Sequence, residues 1–464
     1  MSLIIAGERS GVGKTTVTLA LLAALARRYP QRVQSFKVGP DYIDPMFHQA
    51  VTGRPGRNLD PVLTSEAYVQ HCFQHHSQTA DYALVEGVMG LFDGATGQDD
   101  WASTAHIARL LAVPIVLVVN CSSIARSVAA IVQGYRTFDP RLTLAGLVLN
   151  RVASDRHLEL LTAALAPCQI PIVGVLRRQD DIAIPDRHLG LVPTAELPAL
   201  RSLLDRLAHL GETCFDWPIL EPLLTTRPLA GRGAATFGRA GEAAEPLERP
   251  DRPLRLAIAQ DPAFSFYYAD NLDSFQAAGF ELAAWSPLQD QALPAASCGL
   301  YCGGGFPEIF AATLSENQAA RQAVGAAIAV GMPTYAECGG LMYLCEQLLD
   351  FEEKPHAMVG CLPATARMGQ RLVIGYRQAI AQQPTPLLPA GEKLWGHEFH
   401  RSYLTTSPES PLFTLHNYDG QRCPEEGWQR GAVHASYLHL HFGDKPGLVR
   451  RFRDRCQQFQ ARET

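Results

Sequence analysis

The chain has 464 residues, 47% of them hydrophobic and 19% charged, with a formal net charge of −6. That balance excludes a disordered chain, and its acidic sign leaves no footprint for nucleic acid. The length exceeds one ordinary core and predicts two or three domains.

The first half alternates short apolar runs with helical segments. Candidate strands are Leu3–Ala6, Val33–Lys37, Tyr82–Glu86, Pro114–Val119, Leu144–Leu149 and Ile170–Val175. They lack a polar/apolar alternation, so both faces should be covered, as in a doubly wound, mostly parallel α/β sheet. The longest apolar runs, such as Leu110–Val119, span about ten residues, whereas a membrane helix needs roughly 20. No basic segment precedes the first strand, so no signal peptide is expected. The 11 cysteines form no CxxC pair. This predicts a reduced cytoplasmic protein whose thiols are mostly buried.

A glycine-rich loop, Gly-Glu-Arg-Ser-Gly-Val-Gly-Lys-Thr-Thr, occupies 7–16. The usual phosphate loop would place its first glycine at position 8, which is Glu8, so this is a longer variant. Gly11, Val12, Gly13, Lys14, Thr15 and Thr16 are the candidate nucleotide ligands. Backbone N–H groups approach phosphate at the glycines, Lys14 adds a point charge, and Thr15 offers a hydroxyl to Mg²⁺. The helix predicted over Val17–Ala26 turns its N-terminus to the anion. Glu86, at the end of an apolar strand, stands where a metal-binding acid is expected. Asp41 and Asp44 follow the strand ending near Lys37, at the sheet edge where α/β proteins bind ligands; turn capping beside Pro40 and Pro45 is the competing reading. Asn150 ends another strand and is a candidate for the adenine side or for an ordinary strand-end cap.

Residues 225–252 are rich in Gly, Ala, Arg, Glu and Pro and read as a linker between domains at 1–224 and 253–464. A second α/β pattern follows, with strands at Leu254–Ala259, Gly299–Cys302 and Met332–Ala336. Next comes Thr-Tyr-Ala-Glu-Cys-Gly-Gly-Leu-Met-Tyr-Leu at 334–344. A strand, a small-residue turn and an apolar helix place Cys338 at a nucleophile elbow. Gly339, with Gly304 and Gly305 of the Gly303–Gly305 run, would supply oxyanion donors. His439 is the candidate base; the position two residues on, where many Cys-His amidases carry a carboxylate, holds His441. His397 and His400 are expected to shape a substrate or interdomain face.

These motifs resemble the cobyrinic acid a,c-diamide synthase family, glutamine-dependent amidotransferases of corrinoid (cobalamin) biosynthesis. The resemblance rests on Ser-Gly-Val-Gly-Lys-Thr-Thr at 10–16, Lys-Val-Gly-Pro-Asp-Tyr-Ile-Asp-Pro at 37–45, Val-Glu-Gly-Val-Met-Gly-Leu-Phe-Asp-Gly at 85–94 and Ala-Arg-Ser-Val-Ala-Ala at 125–130. It also rests on Gly-Gly-Gly-Phe-Pro-Glu at 303–308, Ala-Glu-Cys-Gly-Gly-Leu-Met-Tyr-Leu at 336–344 and Gly-His-Glu-Phe-His at 396–400. Glu8 and Cys302 depart from it. The resemblance implies a dethiobiotin-synthetase-like first domain and a class I glutaminase second domain. It implies an ATP-driven ligase that turns a carboxylate into an acyl phosphate and then an amide. It makes Thr15, Asp41 and Glu86 the Mg²⁺ ligands, Tyr42 and Asp44 substrate-positioning groups, and Cys338 and His439 the catalytic pair. The expected partners are cobyrinic acid, L-glutamine and ATP, without nucleic acid or membrane, with a homodimer as the candidate assembly. Hydrogenobyrinic acid and nickel-sirohydrochlorin remain alternative substrates. A partitioning or metal-delivery ATPase on the same loop is the alternative of another class, against which Cys338 argues.

Overall fold

A computed structural model describes residues 2–178, 200–226 and 253–463. They divide into two compact units, one of residues 2–61 and 65–226, the other of 62–64 and 253–463. Most of the expected linker, from residue 227 to 252, lies outside the described residues. Thr226 still belongs to the first unit, since its N–H donates to the Asp81 carbonyl at 2.7 Å.

The first unit is built on seven strands: β1 Leu3–Gly7, β2 Val33–Val38, β3 Arg57–Leu59, β4 Tyr82–Glu86, β5 Ile115–Asn120, β6 Leu144–Val152 and β7 Ile172–Arg177. All pair in parallel, in the order β3-β2-β4-β1-β5-β6-β7. Every residue of β1, β2 and β4 is buried, which explains their unbroken apolar runs. Strand β3 was not expected; three residues, Arg-Asn-Leu, carry no apolar period. The strand order reverses at β1, which has β4 on one side and β5 on the other. A crevice opens beyond the carboxyl ends of strands at such a reversal. Register decides what meets there: Glu86 pairs with Ile5 on β1 and with Lys37 on β2.

The second unit has a sheet in the order β17-β18-β11-β10-β8-β9. Its strands are β8 Leu254–Ala259, β9 Phe280–Trp285, β10 Ser297–Cys302, β11 Thr334–Glu337, β17 Trp428–Arg430 and β18 Val433–Ser436, parallel except for β17. A second sheet runs β13-β12-β14-β15-β19, with β16 paired to β14. Its strands are β12 Cys345–Leu349, β13 Pro355–Ala357, β14 Leu362–Ala381, β15 Lys393–Leu404, β16 Phe413–Asn417 and β19 His439–Leu440. The pairing of β15 with β19 sets His397 opposite His439. Among the described residues, no helix is long and apolar enough to cross a membrane.

Candidate active sites

In the first unit the loop after β1 turns into helix Lys14–Arg28. Gly13 caps that helix at φ 97°, a left-handed conformation that disfavours side chains. A Cβ there would also fall 2.3 Å from Asn150 Nδ2. Asn150 donates to the Val12 carbonyl at 2.8 Å, so it buttresses the phosphate loop from β6. Lys14 Nζ donates to the Met89 carbonyl at 2.5 Å, and burial together with Lys37 lowers its pKa to about 8. Gly11 is exposed at the tip, and Thr15 and Thr16 are half-buried at the helix start. Glu8 turns out of the loop: Oε1 accepts from the Asn120 N–H at 3.3 Å and lies 3.8 Å from Arg9 Nε.

The carboxylates gather beside the loop. Thr15 Oγ1 donates to Glu86 Oε1 at 2.6 Å, and His48 Nε2 lies 2.8 Å from Glu86 Oε2. Lys37 Nζ contacts Asp44 Oδ2, Glu86 Oε1 at 3.1 Å, the Gly87 carbonyl at 3.2 Å and Asp41 Oδ2 at 3.9 Å. Burial pulls the Lys37 pKa down, but Asp44, Glu86 and Asp41 outweigh it and hold the ammonium protonated. Burial likewise raises Glu86, but Lys37, His48 and Thr15 outweigh it and keep Glu86 ionised. Asp44 is pushed up by burial and by the charges of Asp41 and Glu86. One ammonium thus faces three acids. Asp41 Oδ1 accepts from the Ile43 and Asp44 amides at 2.8 and 3.2 Å, so one oxygen caps helix Ile43–Thr52. The capping reading holds for that oxygen. Tyr42, just before the helix, is buried.

In the second unit β11 runs into helix Gly339–Leu344, and Cys338 between them adopts φ 46°, ψ −100°. Its amide donates to the Ser436 carbonyl at 2.8 Å, which ties the turn to β18. The turn is closed by contact: a Cβ on Gly340 would lie 2.1 Å from the Cys302 carbonyl oxygen. The predicted oxyanion glycines lie close to that turn and to His439. A Cβ on Gly339 would come 3.0 Å from the Gly305 nitrogen, and one on Gly304 would come 2.5 Å from His439 Cε1. The fold therefore brings Cys338, Gly304, Gly305, Gly339 and His439 together. Cys338 Sγ lies 3.8 Å from the Phe399 carbonyl. Burial, and then the charge of Glu308, push the thiol well above its usual range, against the Gly339 amide.

Sequence reasoning left His439 without an orienting acid. Glu337, the residue before Cys338, lies 3.7 Å from His439 Nδ1. Its carboxylate is fixed by Tyr301 at 2.9 Å, by the Leu440 amide at 3.0 Å and by Tyr335. His441 faces elsewhere, 3.5 Å from Asp270 and against the Tyr268 ring. His397 sits opposite His439, its pKa lowered to about 3 by burial and then by His439. It stays neutral at working pH. His400 points toward Glu398, at 3.6 Å, and stacks on Tyr437. Lys37 and His48 were also missed as site residues. A lysine inside a strand covered on both faces was the available signal for Lys37.

Both halves match family models. Residues 3–192 match a CobQ/CobB/MinD/ParA nucleotide binding domain, and residues 255–447 a CobB/CobQ-like glutamine amidotransferase domain. The chain is 63% identical over 461 residues to a cobyrinate a,c-diamide synthase of Synechococcus, covering 99% of each. It is 54% identical to that of Synechocystis, with 100% and 95% covered. It is 43% identical to a hydrogenobyrinate a,c-diamide synthase of Streptomyces coelicolor, with 98% and 97% covered. Likeness of that order along the whole length, on a chain that carries both a phosphate loop and an elbow cysteine, places it in the family of cobyrinate and hydrogenobyrinate a,c-diamide synthases.

Proposed function

We propose that the chain amidates the a- and c-acetate carboxylates of cobyrinic acid, using ATP and glutamine. Residues 1–226 carry the synthetase and 253–464 the glutaminase. The observation that carries this reading is the Lys37–Asp44–Glu86 cluster beside the phosphate loop, in a chain whose second unit holds an elbow thiol. A carboxylate is a poor acyl donor, so transfer of phosphate from ATP supplies the leaving group. Gly11–Thr16 and Lys14 hold the phosphates, and Asp44 with Tyr42 orients the substrate carboxylate. The oxygen donors Thr15, Asp41 and Glu86 suit Mg²⁺, which would neutralise phosphate charge there. In the glutaminase, His439 takes the Cys338 proton as sulfur attacks the glutamine amide, and Glu337 steadies the resulting imidazolium. Gly304, Gly305 and Gly339 receive the oxyanion. The Cys338 proton returns through His439 to the departing ammonia, and water then cleaves the thioester.

The test is Cys338→Ser with two nitrogen sources. Glutamine-dependent diamide should disappear while free ammonia still supports amidation, read by mass spectrometry. Loss of both in a folded variant would overturn the division of labour. Hydrogenobyrinic acid is the second reading, favoured by the Streptomyces coelicolor relative. Turnover of the two macrocycles side by side separates them.

A further inference from the structure

His439 is delivered to the elbow by the short stretch that leaves β18, and both ends of that stretch are tied down. At its start, the Ser436 carbonyl accepts from the Cys338 amide at 2.8 Å. At its end, the Leu440 amide donates to Glu337 at 3.0 Å, and Leu440 pairs with Gly396 on β15.

A third tie lies between them. Ser436 Oγ accepts from the Leu438 amide at 2.9 Å and donates to Glu426 Oε1. Glu426 Oε2 accepts from the Tyr437 amide at 3.1 Å. One carboxyl group thus gathers three successive residues, 436 to 438, into a bend just before the histidine. The backbone of Glu426 is itself anchored on β16. Its N–H donates to the Phe413 carbonyl at 3.2 Å, and its carbonyl accepts from the Phe413 amide at 2.8 Å. No cation pairs with Glu426 among the described residues, so its hydrogen bonds to the bend must offset the cost of placing an acid there. Burial raises the carboxyl to about 8, and Glu398 adds to the shift, so the group is largely neutral at pH 7.

We infer that Glu426 is a positioning residue of the glutaminase, fixing the bend at 436–438 that sets where His439 stands relative to Cys338. Because Ser436 also holds the Cys338 amide, the same carboxyl group steadies the proposed nucleophile and its base together. It acts through Ser436 and Tyr437 rather than on the reacting atoms. This inference rests on the glutaminase reading above. A base displaced by about 1 Å can cost about 10²-fold in rate, so the effect belongs to the thiol's attack and not to the binding of glutamine.

The test uses the full chain and measures ammonia release from glutamine beside amidation driven by free ammonia. Glu426→Ala should lower the glutaminase kcat by about 10–10²-fold with KM little changed, and leave ammonia-driven amidation as in wild type. Glu426→Gln should recover most of that kcat, because its amide can accept from Tyr437 and donate to Ser436 Oγ. Ser436→Ala should lower kcat too, and adding Glu426→Ala to it should cost less than the two losses multiplied. Wild-type kcat in Glu426→Ala, an effect confined to KM, or fully multiplicative losses would overturn the inference. So would an equal fall in both activities, the mark of a general loss of fold. Should Glu426→Ala not fold, Ser436→Ala decides on the same split: kcat lowered at constant KM supports the bend, and unchanged kcat overturns it. A wild type that releases no ammonia from glutamine would instead overturn the glutaminase reading itself.

Discussion

Lys37 is enclosed by Asp44, Glu86 and the Gly87 carbonyl, on a strand buried along its whole length. Removing its ammonium leaves buried acids without a counter-charge, which typically costs about 3–5 kcal/mol. Lys37→Met should lower stability by about that much in denaturant titrations, and adding Asp44→Asn should recover part of the loss. An unchanged midpoint in the single variant would show that the acids find relief elsewhere. Cys338 poses the opposite case, a group kept uncharged by burial and nearby carboxylates. Only the thiolate is alkylated, and the raised pKa leaves little of it at neutral pH. Alkylation of Cys338 by iodoacetamide, followed by peptide mass spectrometry, should be slow at pH 7. It should still climb about tenfold per pH unit above pH 9, where an ordinary thiol levels off near its pKa. A plateau near pH 8 would show a thiolate already formed in the resting enzyme.

The turn from β11 into helix Gly339–Leu344 depends on close approach to the end of β10. The space at Gly340 is filled by the Cys302 carbonyl, 2.1 Å from where a Cβ would stand, and by Cys302 Cβ at 2.8 Å. Gly340→Ala should therefore cost about 1–3 kcal/mol of stability through overpacking. Because the helix must shift to relieve the clash, glutamine-dependent turnover should fall more than ammonia-dependent turnover. An equal fall in both would point to a general loss of fold. Elements with a strong local signature were legible in the sequence: β1, β2, β4 and the elbow all announce themselves as apolar runs ending in glycine, acid or turn. What was not legible depends on register. Glu337 meets His439 only because β11 lies beside β18, and three residues beyond β18 the chain delivers the histidine. His48 gains meaning from a helix packed over Glu86, 38 positions away. The 20-residue β14 has no steady period, since its register shifts between Met368 and Val373.

At the scale of the whole molecule, the described residues hold one phosphate loop with one carboxylate cluster, yet the proposed product carries two new amides. Two acetates on one macrocycle cannot both face the same phosphate, so the substrate must turn or leave between reactions. A free monoamide should accumulate early under limiting ATP, and Asp44→Asn should slow its formation more than it slows ATP hydrolysis. Chromatography of products over time decides this; diamide appearing with no released monoamide would mean the intermediate stays bound. The thiol inventory of the chain has its own consequence. All 11 cysteines are free, and of these Cys214, Cys361 and Cys423 are the partly exposed ones, whereas Cys338 is only 4% exposed. Peroxide attacks thiolates that it can reach, in the first step toward sulfenic acid. As the proposed nucleophile, Cys338 is protonated and closed off at rest, escapes that step and becomes reactive only when its amide substrate arrives. Oxidative episodes should then mark the surface thiols first, while the nitrogen-releasing half of the enzyme keeps working.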